Sequence, residues 1–330
     1  MLPARRRTGQ DSGRDLPHGY AVAPMRDQDA GSPLLDIVIV VVAGAQELLH
    51  DCLSSLRRHP VEAGAVTINV TDNASRDGTA EMVREEFPEV RLAVLPYNAG
   101  FCAGNNHWLG RTAAPFALLL NPDTEVTGRA LDHMLEAIRE RPEVGIAGCR
   151  LVQRDGAFDH AAKRSFPTPL GALAHFTGIG RRAMAGARLG QYRAPEVGEL
   201  DAGEVDAVNG AFMLVRRSAM DEVGLLDEGY GTWMEDLDWC YRFKRRGWKV
   251  FYDGRATVIH VKGGTTVAAR KHGRYRSLRH NLAFHRSMGR FYRKFYSGER
   301  PLIDAAVYAA IGAKLMIAVT RSTIARRGFG

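Results

Sequence analysis

Leu35 to Val42 is apolar except for Asp36, helical spacing follows over Gln46 to Arg58, and a second β-branched run, Val66 to Thr71, ends at an acid. This pattern predicts a β-α-β opening. Asp77-Gly78 supplies a turn before a helix-like Ala80 to Phe87, and Arg91 to Leu95 and Phe116 to Leu120 read as the third and fourth strands. Residues 127 to 141 have the spacing of a helix, and Val144 to Cys149 that of a fifth strand. The rhythm then stops. Leu151 to Gly203 is rich in Gly, Arg and Ala without a period, which predicts a variable loop region that shapes a pocket. Regular structure returns over Val205 to Arg216, in a helix from Glu235 to Arg246, and in strand-like Lys249 to Tyr252 and Ala256 to Val261. The alternation predicts an α/β fold: a mainly parallel sheet flanked by helices on both faces, with ligands at the carboxyl ends of its strands. The polar motifs Asp72-Asn73, Asn98 to Asn106 and Asn121-Pro122-Asp123 fall at those ends.

Residues 34–265 hold this pattern and form one domain of the predicted organisation. Residues 1–33 mix arginines, glycines, prolines and acids with no apolar stretch, so they read as a disordered tail rather than a secretory signal. Residues 266–330 form a basic helical extension. The net charge of +8 is concentrated there, in Arg270, Lys271, Arg274, Arg276, Arg279, Arg286, Arg290, Arg293, Lys294 and Arg300. Such a cluster suits an anionic partner or is a solvated helix face. It lacks the aromatic stacking platform of a nucleic-acid reader, which argues against nucleic acid as partner. Leu302 to Thr320 is apolar but contains Asp304 and Lys314 and is marginal in length for crossing a bilayer, so it is expected to lie on a membrane surface or to pack on its own domain. Four cysteines, far apart and without C-x-x-C spacing, suit a reducing cytoplasm.

Chemistry enters through the acids. Asp72, in Thr71-Asp72-Asn73-Ala74-Ser75, is placed to accept hydrogen bonds from a base or ribose, or equally to make an Asx turn or helix cap. The Asn98 to Asn106 segment offers glycines and amides before a helix, where backbone N–H groups approach phosphate or sugar oxygens, or simply form a capped turn. Leu118-Leu119-Leu120-Asn121-Pro122-Asp123 delivers a carboxylate from a buried strand to the sheet edge, suited to Mg²⁺ or Mn²⁺; the competing role is a helix cap after Pro122. Glu235, Asp236 and Asp238 open a helix and complement its positive end. Asp238 and Arg242 make an i,i+4 pair, so Asp238 is structural. Asp236, near the apolar Trp233 and Met234, is the candidate base, with Glu235 beside it. His260 ends a short strand and offers a nitrogen ligand to the same cation.

The ordered set Asp72-Asn73-Ala74-Ser75, Asn98 to Asn106, Asn121-Pro122-Asp123, Asn209-Gly210-Ala211-Phe212, Leu226-Asp227-Glu228, Glu235-Asp236-x-Asp238 and His260 resembles the family 2 glycosyltransferases, most closely their bacterial rhamnosyltransferase-like branch, over Leu34 to Lys262. The resemblance implies a GT-A fold and an inverting, metal-dependent transfer from a nucleotide-diphosphate sugar. Asp72 then matches the base-binding acid, with Asn73, Asn98, Gly100, Asn105 and Asn121 on the donor side. Asn209, Gly210 and Trp233 are the candidate acceptor contacts. Asp123 matches the metal-binding acid, His260 a position that completes the metal site, and Asp236 the catalytic base, with Glu235 as its partner or as an acceptor ligand. The branch suggests rhamnose from a thymidine-diphosphate donor, a lipid-linked or cell-envelope glycan acceptor, and a cytoplasmic location, peripheral to the inner face of the plasma membrane; the oligomeric state stays open. Two positions depart from the pattern: Asn121 stands where relatives place the first acid of D-x-D, and Val41-Val42-Ala43-Gly44 replaces the usual polar end of the first strand. The rival reading is a non-catalytic protein that binds a sugar nucleotide or an anionic polymer. No glycine-rich phosphate signature near the first strand favours a nucleotidyltransferase, and no Gln-x-x-Arg-Trp motif favours a processive synthase.

Overall fold

The computed structural model describes residues 32–167, 194–231, 233–261, 278–298 and 300–327. Strand β1 (Leu35–Val41) pairs in parallel with β2 (Val66–Asp72) on one side and β4 (Phe116–Leu120) on the other, and β2 carries β3 (Arg91–Val94). β1 and β4 are apolar almost throughout because they are covered on both faces, and every residue of each is buried. Helix α1 (Gln46–Arg58) covers the sheet with Leu49, Cys52, Leu53 and Leu56, the three-and-four spacing of one helix face. α2 (Thr79–Glu86) and α3 (Phe101–Leu109) make the next two crossovers. α3 lies close on β1: a Cβ on Gly104 would come within 2.8 Å of Val40 Cγ1.

Past β4 the sheet becomes mixed. β10 (Phe212–Arg216) runs antiparallel between β4 and β6 (Val144–Val152), and β11 (Lys249–His260) runs parallel to β6. β5 (Thr124–Val126) and β8 (Ala202–Val205) add to β11 in antiparallel, closing a nine-stranded sheet. α4 (Ala130–Arg139), α5 (Arg217–Val223) and α6 (Glu235–Arg245) complete the helical layers.

Three segments differ from the sequence-based expectation. Leu151 to Gly203 is not loop throughout: β6 extends to Val152, Lys163–Arg164 form β7, and β8 begins at Ala202. Strands of two to four residues are too short to show a period. Val205 to Arg216 is interrupted, since β9 (Ala207–Val208) leaves the main sheet to pair with β7, and Asn209-Gly210-Ala211 turns the chain back into β10. Lys249 to Val261 holds one strand rather than two; a register shift between Asp253 and Thr257 absorbs the Asp-Gly pair that looked like a turn.

The carboxyl-terminal extension is helical, in α7 (Leu278–Phe295) and α8 (Pro301–Arg327). α7 docks through aromatic side chains: Tyr241 of α6 meets Phe291, Phe295 and Tyr296. Arg290 and Lys294 are not free for an anionic partner, as the clustered charge suggested. Arg290 binds Asp227 at 2.8 Å, and Lys294 binds Asp227 and Asp238, each at 2.6 Å. Residues 1–31, Lys262, Arg270, Lys271, Arg274, Arg276 and residues 168–193 lie outside the described residues, and with them most of the expected tail and the middle of the expected loop.

Candidate functional site

The polar motifs gather at the carboxyl edge of β1, β2 and β4, where β10 starts and β11 ends. Asp72 closes β2 opposite Val41 and is fully buried. Its Oδ1 accepts from Ser75 N at 2.8 Å, so the Asx turn forms, while its buried Oδ2 has no hydrogen-bond partner among the described residues. An unspent buried acceptor is costly unless a ligand donor meets it. Asn73 is committed to the neighbouring loop: its Oδ1 accepts from Ala99 N at 2.7 Å and its Nδ2 donates to Gly100 O at 3.1 Å. Asn98 Oδ1 accepts from Gly100 N at 3.0 Å, and Asn105 Nδ2 donates to Phe101 O at 2.9 Å. These three amides therefore shape the loop that opens α3. Gly100 has a φ of +90° there, which favours glycine. Asn106, not singled out as a ligand, fastens α3 to the Leu226–Glu228 loop through Leu226 N, Leu226 O and Glu228.

Asn121 follows β4, two strand spacings, or about 10 Å, from β2 across the sheet. Its backbone N–H donates to Ala211 O at 3.0 Å, which joins this edge to the Asn209–Ala211 turn. Asp123 is followed directly by β5, not by a helix; α4 starts only at Ala130, so the helix-cap role does not apply. Antiparallel pairing aligns Thr124 with His260, and Val261 N donates to Asp123 O at 2.7 Å. That register brings His260 Nε2 within 3.5 Å of Asp123 Oδ1. On its other side His260 Nδ1 lies 3.1 Å from Asp159 Oδ2. Burial alone would lower the His260 pKa, but the hydrogen bonds and charges of Asp123 and Asp159 outweigh it and raise the pKa to about 9.

Among the described residues no group of three or more His, Cys, Asp or Glu side chains is arranged to hold a metal ion. The donor set nevertheless suits a Mg²⁺- or Mn²⁺-type cation held partly by substrate. One carboxylate and one imidazole converge, a second carboxylate orients the imidazole, and such cations take their remaining ligands from phosphate and water. Asp159 was invisible in sequence because it lies in a segment without period; only its acid type was on view.

Glu235 and Asp236 open α6 after two non-glycine residues in the left-handed region, Trp233 (φ 66°) and Met234 (φ 74°). Such residues cost about 1–3 kcal/mol each and cluster at functional sites. The surroundings of Asp236 differ from the apolar ones expected. Its Oδ2 accepts from Arg164 Nη2 at 2.5 Å and from Gly210 N at 3.2 Å. Arg164, on β7, also donates to Val208 O at 2.6 Å. Sequence reasoning missed it, since a charged two-residue strand inside a patternless stretch gives no cue to burial. Trp233 turns instead to α7, edge-on to His280 and Phe284. Burial first, and then the charge of Asp236, push the Glu235 carboxyl well above the usual range, and its buried Oε2 has no hydrogen-bond partner among the described residues. Asp238 is buried and bound by Arg242, Lys294 and Tyr230, a structural knot.

Asn209 Oδ1 accepts from Ala211 N at 2.9 Å and shapes its turn. Gly210 is the junction: a Cβ there would lie 3.5 Å from Asp236 Cβ and 3.9 Å from the ring of Phe101, at the start of α3. Hydrogen bonds and close approaches thus link the Asp72 loop to the start of α3, the start of α3 to Gly210 and Asp236, and the Asn209–Ala211 turn to Asn121.

A family model described as "Glycosyltransferase like family 2" matches residues 36–278. An N-acetylglucosaminyl-diphospho-decaprenol L-rhamnosyltransferase of Mycobacterium tuberculosis is 28% identical over 212 residues, covering 61% of this chain and 68% of that protein. Among solved structures, a mannosyltransferase from Pyrobaculum calidifontis in complex with GDP-Man and Mn²⁺ superposes with a TM-score of 0.53 at 15% identity, over 93% of this chain and 77% of that one. GalNAc-T7 with UDP, GalNAc and Mn²⁺ superposes with a TM-score of 0.52 at 14% identity, over 71% of this chain and 44% of that one. At these identities the two structures speak for the GT-A fold alone.

Proposed function

The chain belongs to the glycosyltransferase-like family 2, and from that premise we propose that it moves a sugar, with inversion, from a nucleotide-diphosphate donor to a hydroxyl of a lipid-linked or cell-envelope glycan. The observations that support the reading are an unspent buried acceptor on Asp72, the Asp123–His260 pair at the same edge of the sheet, and the approach of Gly210 to Asp236 and Phe101 that ties the acids of α6 to that edge. Asp72 Oδ2 accepts from the base or ribose of the donor, and Asn73, Asn98 and Asn105 hold the loop whose backbone faces the diphosphate. Asp123 and His260 hold the Mg²⁺ or Mn²⁺, with Asp159 orienting the imidazole. The bound cation supplies charge neutralisation for the departing diphosphate.

The acceptor lies against Gly210, Asn209 and Trp233. Asp236, held by Arg164, takes the proton of the acceptor hydroxyl as that oxygen bonds to the anomeric carbon. The bond to the diphosphate breaks and its electron pair leaves with the nucleotide. Glu235, whose buried Oε2 is unspent, binds an acceptor hydroxyl. The 28% identity to the mycobacterial L-rhamnosyltransferase supports rhamnose as the sugar moved; a thymidine-diphosphate donor and a reaction in the cytoplasm at the inner face of the plasma membrane belong to the same proposal.

Screening sugar nucleotides with Mg²⁺ or Mn²⁺ for turnover, with calorimetry alongside, tests the assignment. Asp236→Asn is expected to abolish transfer while keeping donor affinity, and Asp123→Ala to weaken metal-dependent donor binding. Near-normal turnover in Asp236→Asn would remove it as the base.

A further inference from the structure

Helix α8 is the one long element whose apolar surface the fold leaves uncovered among the described residues. Its segment Pro301–Thr320 has a mean hydropathy of 1.8, yet only 11% of the window is buried. Leu302 is 88% exposed, Met316 66% and Ile317 53%. A helix of a soluble core would be mostly buried, so packing against the described residues of its own domain does not explain it. Nor is it a helix built to lie flat on a surface, which needs one apolar and one polar side. Tyr308 and Ile317, nine residues or about two and a half turns apart, point to opposite sides, and both are exposed.

Length and charge identify what surrounds it. Twenty residues rise about 30 Å, the thickness of a bilayer's hydrocarbon core. The charges within it sit toward its ends or are within reach of them. Asp304, in the first turn, is capped by Tyr292, Ser297 and Gly298. Lys314 lies six residues before Thr320, and a lysine stem snorkels over much of that distance. Arg321, Arg326 and Arg327 follow the apolar window. Before it, α7 presents Arg279, Arg286 and Arg293, all exposed and spaced by seven, which sets them in one row. None of the three is ion-paired with a described residue, unlike Arg290 and Lys294, which face the domain. Arginines on both flanks of an apolar rod in the sequence complement anionic lipid headgroups. A second copy of the chain would cover one side of the rod and leave the other wet.

We propose that α8 is embedded in an anionic bilayer as an anchor, with the arginine row of α7 resting on the headgroups. This places the catalytic domain on the membrane through an inserted helix rather than a surface-lying one, and it stands whichever residues carry the chemistry.

The test mixes the full chain with phosphatidylglycerol-containing vesicles and with phosphatidylcholine vesicles, floats them, and washes with alkaline carbonate. The wild type is expected to float and to resist the wash. Met316→Lys/Ile317→Lys, at exposed positions, is expected to lose at least about tenfold of the carbonate-resistant fraction with the unfolding temperature of the catalytic domain unchanged. Arg279→Gln/Arg286→Gln/Arg293→Gln is expected to lower the preference for anionic vesicles without changing resistance to the wash. Release of the wild type by carbonate overturns insertion. So does a stable, lipid-free dimer in light scattering that Met316→Lys/Ile317→Lys dissociates, which would assign the rod to a second copy.

Discussion

Replacing Arg164 by methionine removes the cation from a pair whose side chains are 9% and 12% exposed, and leaves the buried Asp236 carboxylate with the backbone N–H groups of Gly210 and Leu237 as its donors among the described residues. Breaking a buried ion pair from one side costs about 3–5 kcal/mol, because the remaining charge has lost both water and partner. Val208 O also loses its donor, adding about 1 kcal/mol. Arg164→Met is therefore expected to cost about 4–6 kcal/mol in urea unfolding. In Arg164→Met/Asp236→Asn both charges are gone, and the double variant should be more stable than Arg164→Met alone, by a coupling of several kcal/mol. Arg164→Lys keeps the charge but not the fork that reaches Asp236 and Val208 together, so it should fall between. Turnover follows the same geometry: with the carboxylate no longer fixed from two sides, kcat of Arg164→Lys should drop about 10–100-fold with donor KM little changed. Additive stability losses in the double variant, or wild-type kcat in Arg164→Lys, would refute the view that Arg164 acts by holding Asp236.

Two further outcomes concern the extension and the metal. Burial would raise the Asp227 pKa, but hydrogen bonds from Lys294, Gly229 and Arg290 lower it to about 2. A depressed carboxylate stabilises the fold above its unfolded pKa of about 4 and loses that contribution as pH falls towards 2, an effect of about 2 kcal/mol. Asp227→Asn should thus be less stable than wild type by about that amount at pH near 6, with the gap narrowing below about pH 4 in melting experiments; a gap independent of pH would contradict the link. Asp159→Asn should raise the Mn²⁺ concentration needed for half-maximal turnover by about 10–100-fold, with kcat at saturating metal close to wild type, since Oδ2 of Asp159 meets the far nitrogen of His260 while its Oδ1 accepts from Ala161 N. An unchanged metal titration would count against that role.

What sequence reading recovers depends on how many residues carry each signal. β1 and β4 are runs of five to seven mostly apolar residues and β2 alternates apolar with polar ones, and their periods and ends put Asp72 and Asn121 at the sheet edge. α6 was legible from its helical spacing, whereas the Asn98 to Asn106 segment, expected ahead of a helix, holds the first six residues of α3. Where an element is two residues long, as β7 and β9 are, the only clue to burial is the partner strand, 43 or more positions away, and no local pattern records it. The residues missed, Arg164 and Asp159, sit in that kind of segment. Both act on residues that were legible: Arg164 on Asp236, Asp159 on His260.

That division has a physical cause which bears on how the cleft works. The acids that sequence reading finds stand at the ends of long strands and helices, where the backbone fixes their position but not the direction of the side chain. Direction comes from a second layer of charges, Asp159 and Arg164, on the chain that follows β6, and the amides of Asn73 and Asn98 do the same for the α3 loop. A variant in the rigid layer, such as Asp123→Ala, removes a candidate ligand and is expected to weaken metal-dependent donor binding. A variant in the second layer leaves every candidate ligand present but poorly aimed, so its effect should appear in kcat or in metal affinity before it appears in donor binding. The left-handed backbone at Trp233 and Met234 belongs to this second layer as well. It holds Glu235 and Asp236 at the mouth of α6 at a cost in stability that the ion pair with Arg164 helps to offset.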